Sequence, residues 1–244
     1  MIYSLIALVA TILGAVIGVG GGLVIRPALA FMGIEAELAS FTSSVTVLAM
    51  AVVTLLVYKK QKVKIEFRRT GFMAAGSVAG GFLGAGLIPL APAGIINIGY
   101  IFVLAAVVVI TIGKERFGAK KKIGNLGALL IGGVTGLLSG FFGVGGGPFQ
   151  MAALMLCFKM KARDAAVQSI AITLLTTVSA LARYTIDGAL DFSLALYMIP
   201  TAVAGGLIGG LLNRRMKSGF VRGLFIAVIA GMIVLQCATI GIKG

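Results

Sequence analysis

The pentapeptide GVGGG occurs twice in this chain, at Gly18–Gly22 and Gly143–Gly147, each time inside apolar sequence. Consecutive glycines break a helix rather than merely thin it. Broken backbone at membrane depth has to be buried in protein or line a polar cavity. Pro148 follows the second copy at once and Pro27 lies five residues past the first, and proline favours the first turn of a helix. Each copy therefore reads as a loop followed by a new helix N-terminus. Free N–H groups and the positive end of the helix dipole then converge at the loop, which is the chemistry of an anion site. The backbone candidates are Gly20, Gly21 and Gly22 in the first loop and Gly145, Gly146 and Gly147 in the second. Side-chain candidates lie beside them. Thr42 and Ser43 open the next apolar run, Gln168 and Ser169 hold the matching place in the second half, and Gln150 follows the second loop by three residues. The plainer reading of these groups is N-capping or bonding within their own helices. Arg26 is the basic residue inside a glycine-broken run, where an arginine points to function. Its plainer reading is a side chain snorkelling to the headgroups or pairing with Glu35 or Glu37.

Other chemistries are excluded by residue type. The chain has no histidine, so Cys/His metal centres and nucleophiles do not arise. The two cysteines, Cys157 and Cys237, sit in apolar context and read as small buried hydrophobes. No acid lies in the middle of an apolar run, which argues against a carboxylate proton relay and against a hydrolase. The glycines lack the GK[ST] of a phosphate loop and a preceding strand. No cofactor or metal is implied.

The elements that hold these residues are hydrophobic. Apolar residues make up 59% of the chain and charged residues 11%, against about 25% charged in soluble domains. Apolar runs cover approximately 2–33, 38–58, 70–90, 93–113, 124–158, 164–184, 192–213 and 219–241, so the fold class is an all-α, polytopic integral membrane protein. Met1-Ile2-Tyr3-Ser4 lacks a basic leader region, so the first run is expected to be retained. The net charge of +14 is concentrated in short loops between runs; this is the positive-inside pattern and not a nucleic-acid face. Loops 59–69, 114–122 and 214–222 are accordingly expected to be cytoplasmic, in a cell (plasma or inner) membrane.

Eight single crossings would put 214–222 on the wrong side. The conflict vanishes if run five is a hairpin that enters and leaves on one face. The two halves also match in sequence. Ala79-Gly80-Gly81 recurs as Ala204-Gly205-Gly206 at a spacing of 125, and Ser43, Val52, Leu55 and Tyr58 recur as Ser169, Val178, Leu181 and Tyr184 at 126. By this repeat run one is a hairpin too. The expected plan is two inverted repeats, 1–117 and 124–244, each a glycine-broken hairpin plus three transmembrane helices. Inverted repeats meeting at midmembrane are a transporter plan. Small residues at four-residue spacing, as in Gly76/Gly80/Gly84 and Gly132/Gly136/Gly140, read as helix-packing contacts.

With GVGGGLVIRPAL and GVGGGPFQMAAL each followed by a hydroxyl- or amide-bearing helix start, and with IDGALDFSLALYMIPTAVAGGLIGGLL after run six, the chain resembles the TauE/SafE sulfite-exporter family over essentially its whole length. The resemblance implies an inner-membrane carrier of sulfur-containing anions such as sulfite, thiosulfate or organosulfonates, and of some other organic acids. Two departures make the half-sites unequal: Met151-Ala152 stands where the first hairpin has Arg26-Pro27, and Gln168 replaces the threonine of the Thr-Ser pair. The expected function is a secondary transporter, an exporter of a small anion by alternating access. The alternative is an anion channel or a structural membrane protein whose glycines only pack helices. Its partners are the lipid bilayer and the anion, and nothing in the pattern fixes an oligomeric state.

Overall fold

The computed structural model describes residues 1–63, 67–113, 123–188 and 190–243, with 67–69, 93 and 239–243 described as backbone. The basic cluster at 114–122, Lys64 and the side chains of Arg68 and Arg69 in the first basic loop lie outside what is described, as does the boundary between the expected repeats. Among the described residues there are ten α-helices, one short 3-10 turn at Ile88–Leu90 and no strand. The helices are α1 (Ile2–Ile17), α2 (Gly22–Phe31), α3 (Ala36–Lys60), α4 (Phe67–Ala85), α5 (Ala93–Ile112), α6 (Asn125–Phe141), α7 (Gly147–Leu156), α8 (Ala162–Ile186), α9 (Ala195–Arg215) and α10 (Ser218–Lys243).

Five of these, α3, α5, α8, α9 and α10, contain segments long and apolar enough to cross a membrane. Runs one and five are each split at GVGGG into two helices. The second members, α2 and α7, have 10 residues each, or about 15 Å at 1.5 Å per residue. That is half of a hydrocarbon core of about 30 Å, so neither leg is long enough as a helix to cross one alone.

Glycine stripes bring the helices together. Along α4 and α6, Gly76, Gly80 and Gly84 lie on the backbone of Leu129, Gly133 and Leu137, while Gly132, Gly136 and Gly140 lie on that of Met73, Ser77 and Gly81. A Cβ at any of the six would meet a backbone atom at once, so the two helices pack backbone to backbone, as small-residue stripes in membranes do. Helices α1 and α9 repeat this. Gly205 meets Thr11 and Gly209 meets Ile12 and Ala15, and Asn213 Nδ2 donates to the Val16 carbonyl at 2.6 Å.

The long helices α3 and α8 run antiparallel through the centre. Phe41, early in α3, stands edge-on to Tyr184, late in α8, with ring centroids 6.0 Å apart. At the other end Tyr58 of α3 lies in the field of Arg163 of α8. The contacts of the two halves correspond: α1 packs on α9 as α6 packs on α4, α3 on α9 as α8 on α4, and α2 on α10 as α7 on α5.

One end of the bundle collects basic loops. Arg214 Nη1 donates to the Gln61 carbonyl at 3.4 Å. Arg222 Nη2 donates to the carbonyls of Thr111, at 2.8 Å, and Ile112, at 3.1 Å. The Arg163 N–H donates to Ser218 Oγ at 3.3 Å. Eight single crossings would have separated Gln61 from Arg214; the split of runs one and five brings them together. The opposite end holds Arg183, bonded to Asp187 at 2.9 Å and stacked 5.5 Å from the Phe82 ring centre. Cys157 is half-buried at the end of α7, whereas Cys237 is exposed. The expectation of two buried cysteines fails for Cys237, which lies on an outward face of α10.

Candidate functional site

Each glycine loop is built on three left-handed residues. Gly18, Gly20 and Gly21 have φ of 78°, 82° and 71°, and Gly143, Gly145 and Gly146 have 61°, 72° and 97°. A side chain at these angles is strained, which is why the motif needs glycine on both sides of its valine. Helix α2 then starts at Gly22 and α7 at Gly147. Pro148 occupies the first turn of α7 as expected. Pro27 does not open a helix; it lies inside α2. Its missing N–H frees the carbonyl four residues back, that of Leu23, and Tyr100 Oη donates to that carbonyl at 3.2 Å.

The two loops meet. A Cβ on Gly22 would strike the Val144 carbonyl, and one on Gly147 the Val19 carbonyl. Gly18 packs on Ala166 and Gly143 on Ser40; Gly20 packs on Thr173 and Val47, Gly145 on Val47 and Thr177. Each valine carbonyl thus lies against a glycine of the other loop, with α3 and α8 walling the junction in. Within the buried loops and first turns, the N–H groups of Gly21, Leu23, Gly145, Gly146, Gly147 and Phe149 have no hydrogen-bond acceptor among the described residues. A buried donor left unpaired costs about 1–3 kcal/mol, so several at one junction mark a place suited to an acceptor-rich ligand.

Arg26 lies one turn into α2 and is 1% exposed. Its Nη1 donates to Asn97 Oδ1 at 3.3 Å, while its Nε has no partner. Among the described residues no carboxylate pairs with it, and Arg183–Asp187 is the salt bridge that forms. Snorkelling and pairing with Glu35 or Glu37 are therefore both set aside. An isolated charge in this position costs several kcal/mol unless compensated.

The hydroxyls divide the two halves. Ser169 Oγ donates to the Gly147 carbonyl at 3.2 Å. Its counterpart Ser43 sits against Gly22, but its Oγ is unpartnered, as is the buried hydroxyl of Thr42. Gln150 is fully engaged. Its Nε2 donates to Thr176 Oγ1 at 2.9 Å and reaches Ser77 Oγ at 3.5 Å, and its Oε1 accepts from Thr173 at 2.9 Å. It ties α7 to α8 and α4. Gln168 accepts from Thr70 Oγ1 at 3.5 Å, which turns it toward α4.

Beside the second loop a crevice with no room for a water molecule is lined by Ser44, Ser139, Gly143, Gly145, Thr176, Thr177 and Tyr184. Sequence reasoning passed over Tyr184, Asn97 and Tyr100. For Tyr184 a signal existed, since Tyr58 and Tyr184 are a matched pair of the repeat. Asn97 and Tyr100 gave none, because only the packing of α5 on the first hairpin brings them to Arg26.

Paired glycine-broken hairpins, apolar spans and a buried cation beside the junction are the architecture of a multi-pass helical membrane protein, and comparison with known proteins gives its class as membrane transporter. The sequence model of the family described as "Sulfite exporter TauE/SafE" matches residues 3–235. The chain belongs to this family. Among curated proteins it is similar to the "Probable membrane transporter protein YunE" of Bacillus subtilis (strain 168), at 26% identity over 89% of this chain and 90% of that one. It is also similar to the "Probable membrane transporter protein YjnA" of the same organism, at 28% identity over 87% and 91%.

Proposed function

We propose that this chain is a secondary carrier that exports a small, sulfur-containing anion such as sulfite, thiosulfate or an organosulfonate. The observation that carries the reading is Arg26: a buried guanidinium with no carboxylate partner among the described residues, one turn from a junction of unpaired N–H groups. Such a constellation favours an anion over a neutral or cationic solute. The description of the family supports sulfur oxyanions as the first class to test.

In this reading residues 1–117 and 124–244 are inverted repeats. The antiparallel run of α3 and α8 and the corresponding contacts of the two halves support it. Access alternates as one hairpin and its walls rock against the other. Gly21, Gly145, Gly146 and Gly147 supply backbone donors, Arg26 the charge, and Thr42 and Ser43 free hydroxyls, whereas the N–H groups of Gly20 and Gly22 are bonded to the Gly14 and Gly20 carbonyls. Ser169 shapes the second loop, while Gln150 and Gln168 brace the helices around it. The three basic loops face the cytoplasm.

The test is uptake into proteoliposomes across a panel of sulfite, thiosulfate, alkylsulfonates and carboxylates. Saturable uptake of a sulfur oxyanion supports the reading; uptake confined to carboxylates or to no anion contradicts it.

A further inference from the structure

Helix α10 carries a buried amide that the glycine loops do not account for. Gln236 is 0% exposed, and neither its Nε2 nor its Oε1 has a hydrogen-bond partner. An orphaned amide at membrane depth is costly on both atoms. It continues the inward stripe of its helix: Val221, Phe225 and Ile229 are buried on the same face, and positions four, eight and fifteen residues on from Val221 share that face.

The register of α10 on α5 gives the height of this amide. Arg222 is bonded to the Thr111 carbonyl and the helices run antiparallel from there. Gln236 lies as many residues beyond Arg222 as Asn97 lies before Thr111, so both stand about 21 Å from that bond at 1.5 Å per residue. Helix α10 packs on both α5 and α2. The inward face of α5 at this height includes Ile96 and Tyr100, and Asn97 is the residue that holds Arg26.

We infer that Gln236, with Asn97 and Arg26, forms an oxyanion-binding subsite between α2, α5 and α10, so that the last helix of the chain completes the site of the first hairpin. This rests on the carrier reading above and makes it more specific. Two unpartnered donors of different helices, Arg26 Nε and Gln236 Nε2, suit an anion with at least two oxygens. A halide offers no separated acceptors to match them. Asn97 is a positioning residue, holding the guanidinium through Nη1 and leaving Nε free.

The test is a thermal-stability cycle on the purified protein in detergent, using Gln236→Glu, Arg26→Met and the double variant, each with and without sodium sulfite or sodium chloride. The carboxylate introduced by Gln236→Glu would form an ion pair with Arg26. This substitution is therefore expected to raise the melting temperature when Arg26 is present and to lower it in the Arg26→Met background. Sulfite, and not chloride, is expected to stabilise the wild-type protein. Gln236→Leu should weaken that effect at least tenfold in sulfite concentration, and Gln236→Glu should abolish it. Equal effects of Gln236→Glu in both backgrounds would overturn the inference whatever the protein transports. Coupling without stabilisation by any oxyanion of the panel would make the cluster structural and overturn the anion subsite, while liposome flux judges the carrier reading separately.

Discussion

Gly147 lies against the carbonyl of Val19 so closely that a Cβ on it would overlap the peptide group. These two residues belong to different halves of the chain. The contact seats the two hairpin tips on each other in this conformation and gives the motif a second reason to be glycine besides its left-handed angles. Gly147→Ala is expected to separate the tips and to destabilise the protein by about 1–3 kcal/mol, as overpacking does. Transport should fall in parallel. Gly219, with open space around its Cβ position, is the control: Gly219→Ala should stay within about 0.5 kcal/mol. Melting curves and flux measured side by side check this.

The six interleaved glycines of α4 and α6 make a different prediction. Gly80→Ala places a methyl group on the Gly133 carbonyl, so it should destabilise the pairing of these helices. Folded protein recovered from the membrane should retain its affinity for the anion. A changed affinity with normal stability would move Gly80 into the site.

How far the site was legible depended on whether the cause was local. GVGGG declares its broken helix because three left-handed angles need glycine. The split of both long runs followed from it. The placement of Pro27 was misjudged because its freed Leu23 carbonyl is satisfied by Tyr100, from a helix far along the chain. Gln150 looked like a donor for a ligand and is instead bonded by Thr173, Thr176 and Ser77. Gln236, amid Val234, Leu235 and Cys237, gave no sign that its amide would be wholly buried. Polar partners across helices are decided by packing, which a single sequence does not display.

Gln150→Leu isolates its bracing role. It leaves Thr173, Ser77 and Thr176 without their amide partner and should cost about 1–3 kcal/mol. The half-saturating anion concentration should change by less than about threefold. A large loss of affinity at unchanged stability would return Gln150 to the binding site.

Topology is checked by single cysteines at Lys217 and Asp187 in a background lacking Cys157 and Cys237. Arg214 and Arg222 tie the 214–222 loop to Gln61, Thr111 and Ile112, and on the positive-inside rule that end is expected to face the cytoplasm. A membrane-impermeant thiol reagent added outside intact cells should label position 187 and not 217. The reverse pattern would invert the whole assignment.

Export needs a driving force. An inside-negative potential acts on a monoanion by about 2.3 kcal/mol per 100 mV, roughly a 40-fold outward bias. Among the described residues no carboxylate is gathered at the junction, so efflux is expected to follow the potential without a pH gradient. Liposomes with potential and pH gradient clamped separately by ionophores give the answer. Flux that follows the pH gradient and ignores the potential would mean a proton travels with the anion.

The most direct test of the carrier itself is counterflow. Proteoliposomes loaded with unlabelled sulfite should transiently accumulate labelled sulfite from outside, saturably. Arg26→Met, which copies the residue at the matching position 151, should abolish this while the protein remains folded. Removing an uncompensated buried charge should leave its melting temperature equal or higher. Conductance without counterflow, or full counterflow in Arg26→Met, would contradict a carrier built on Arg26.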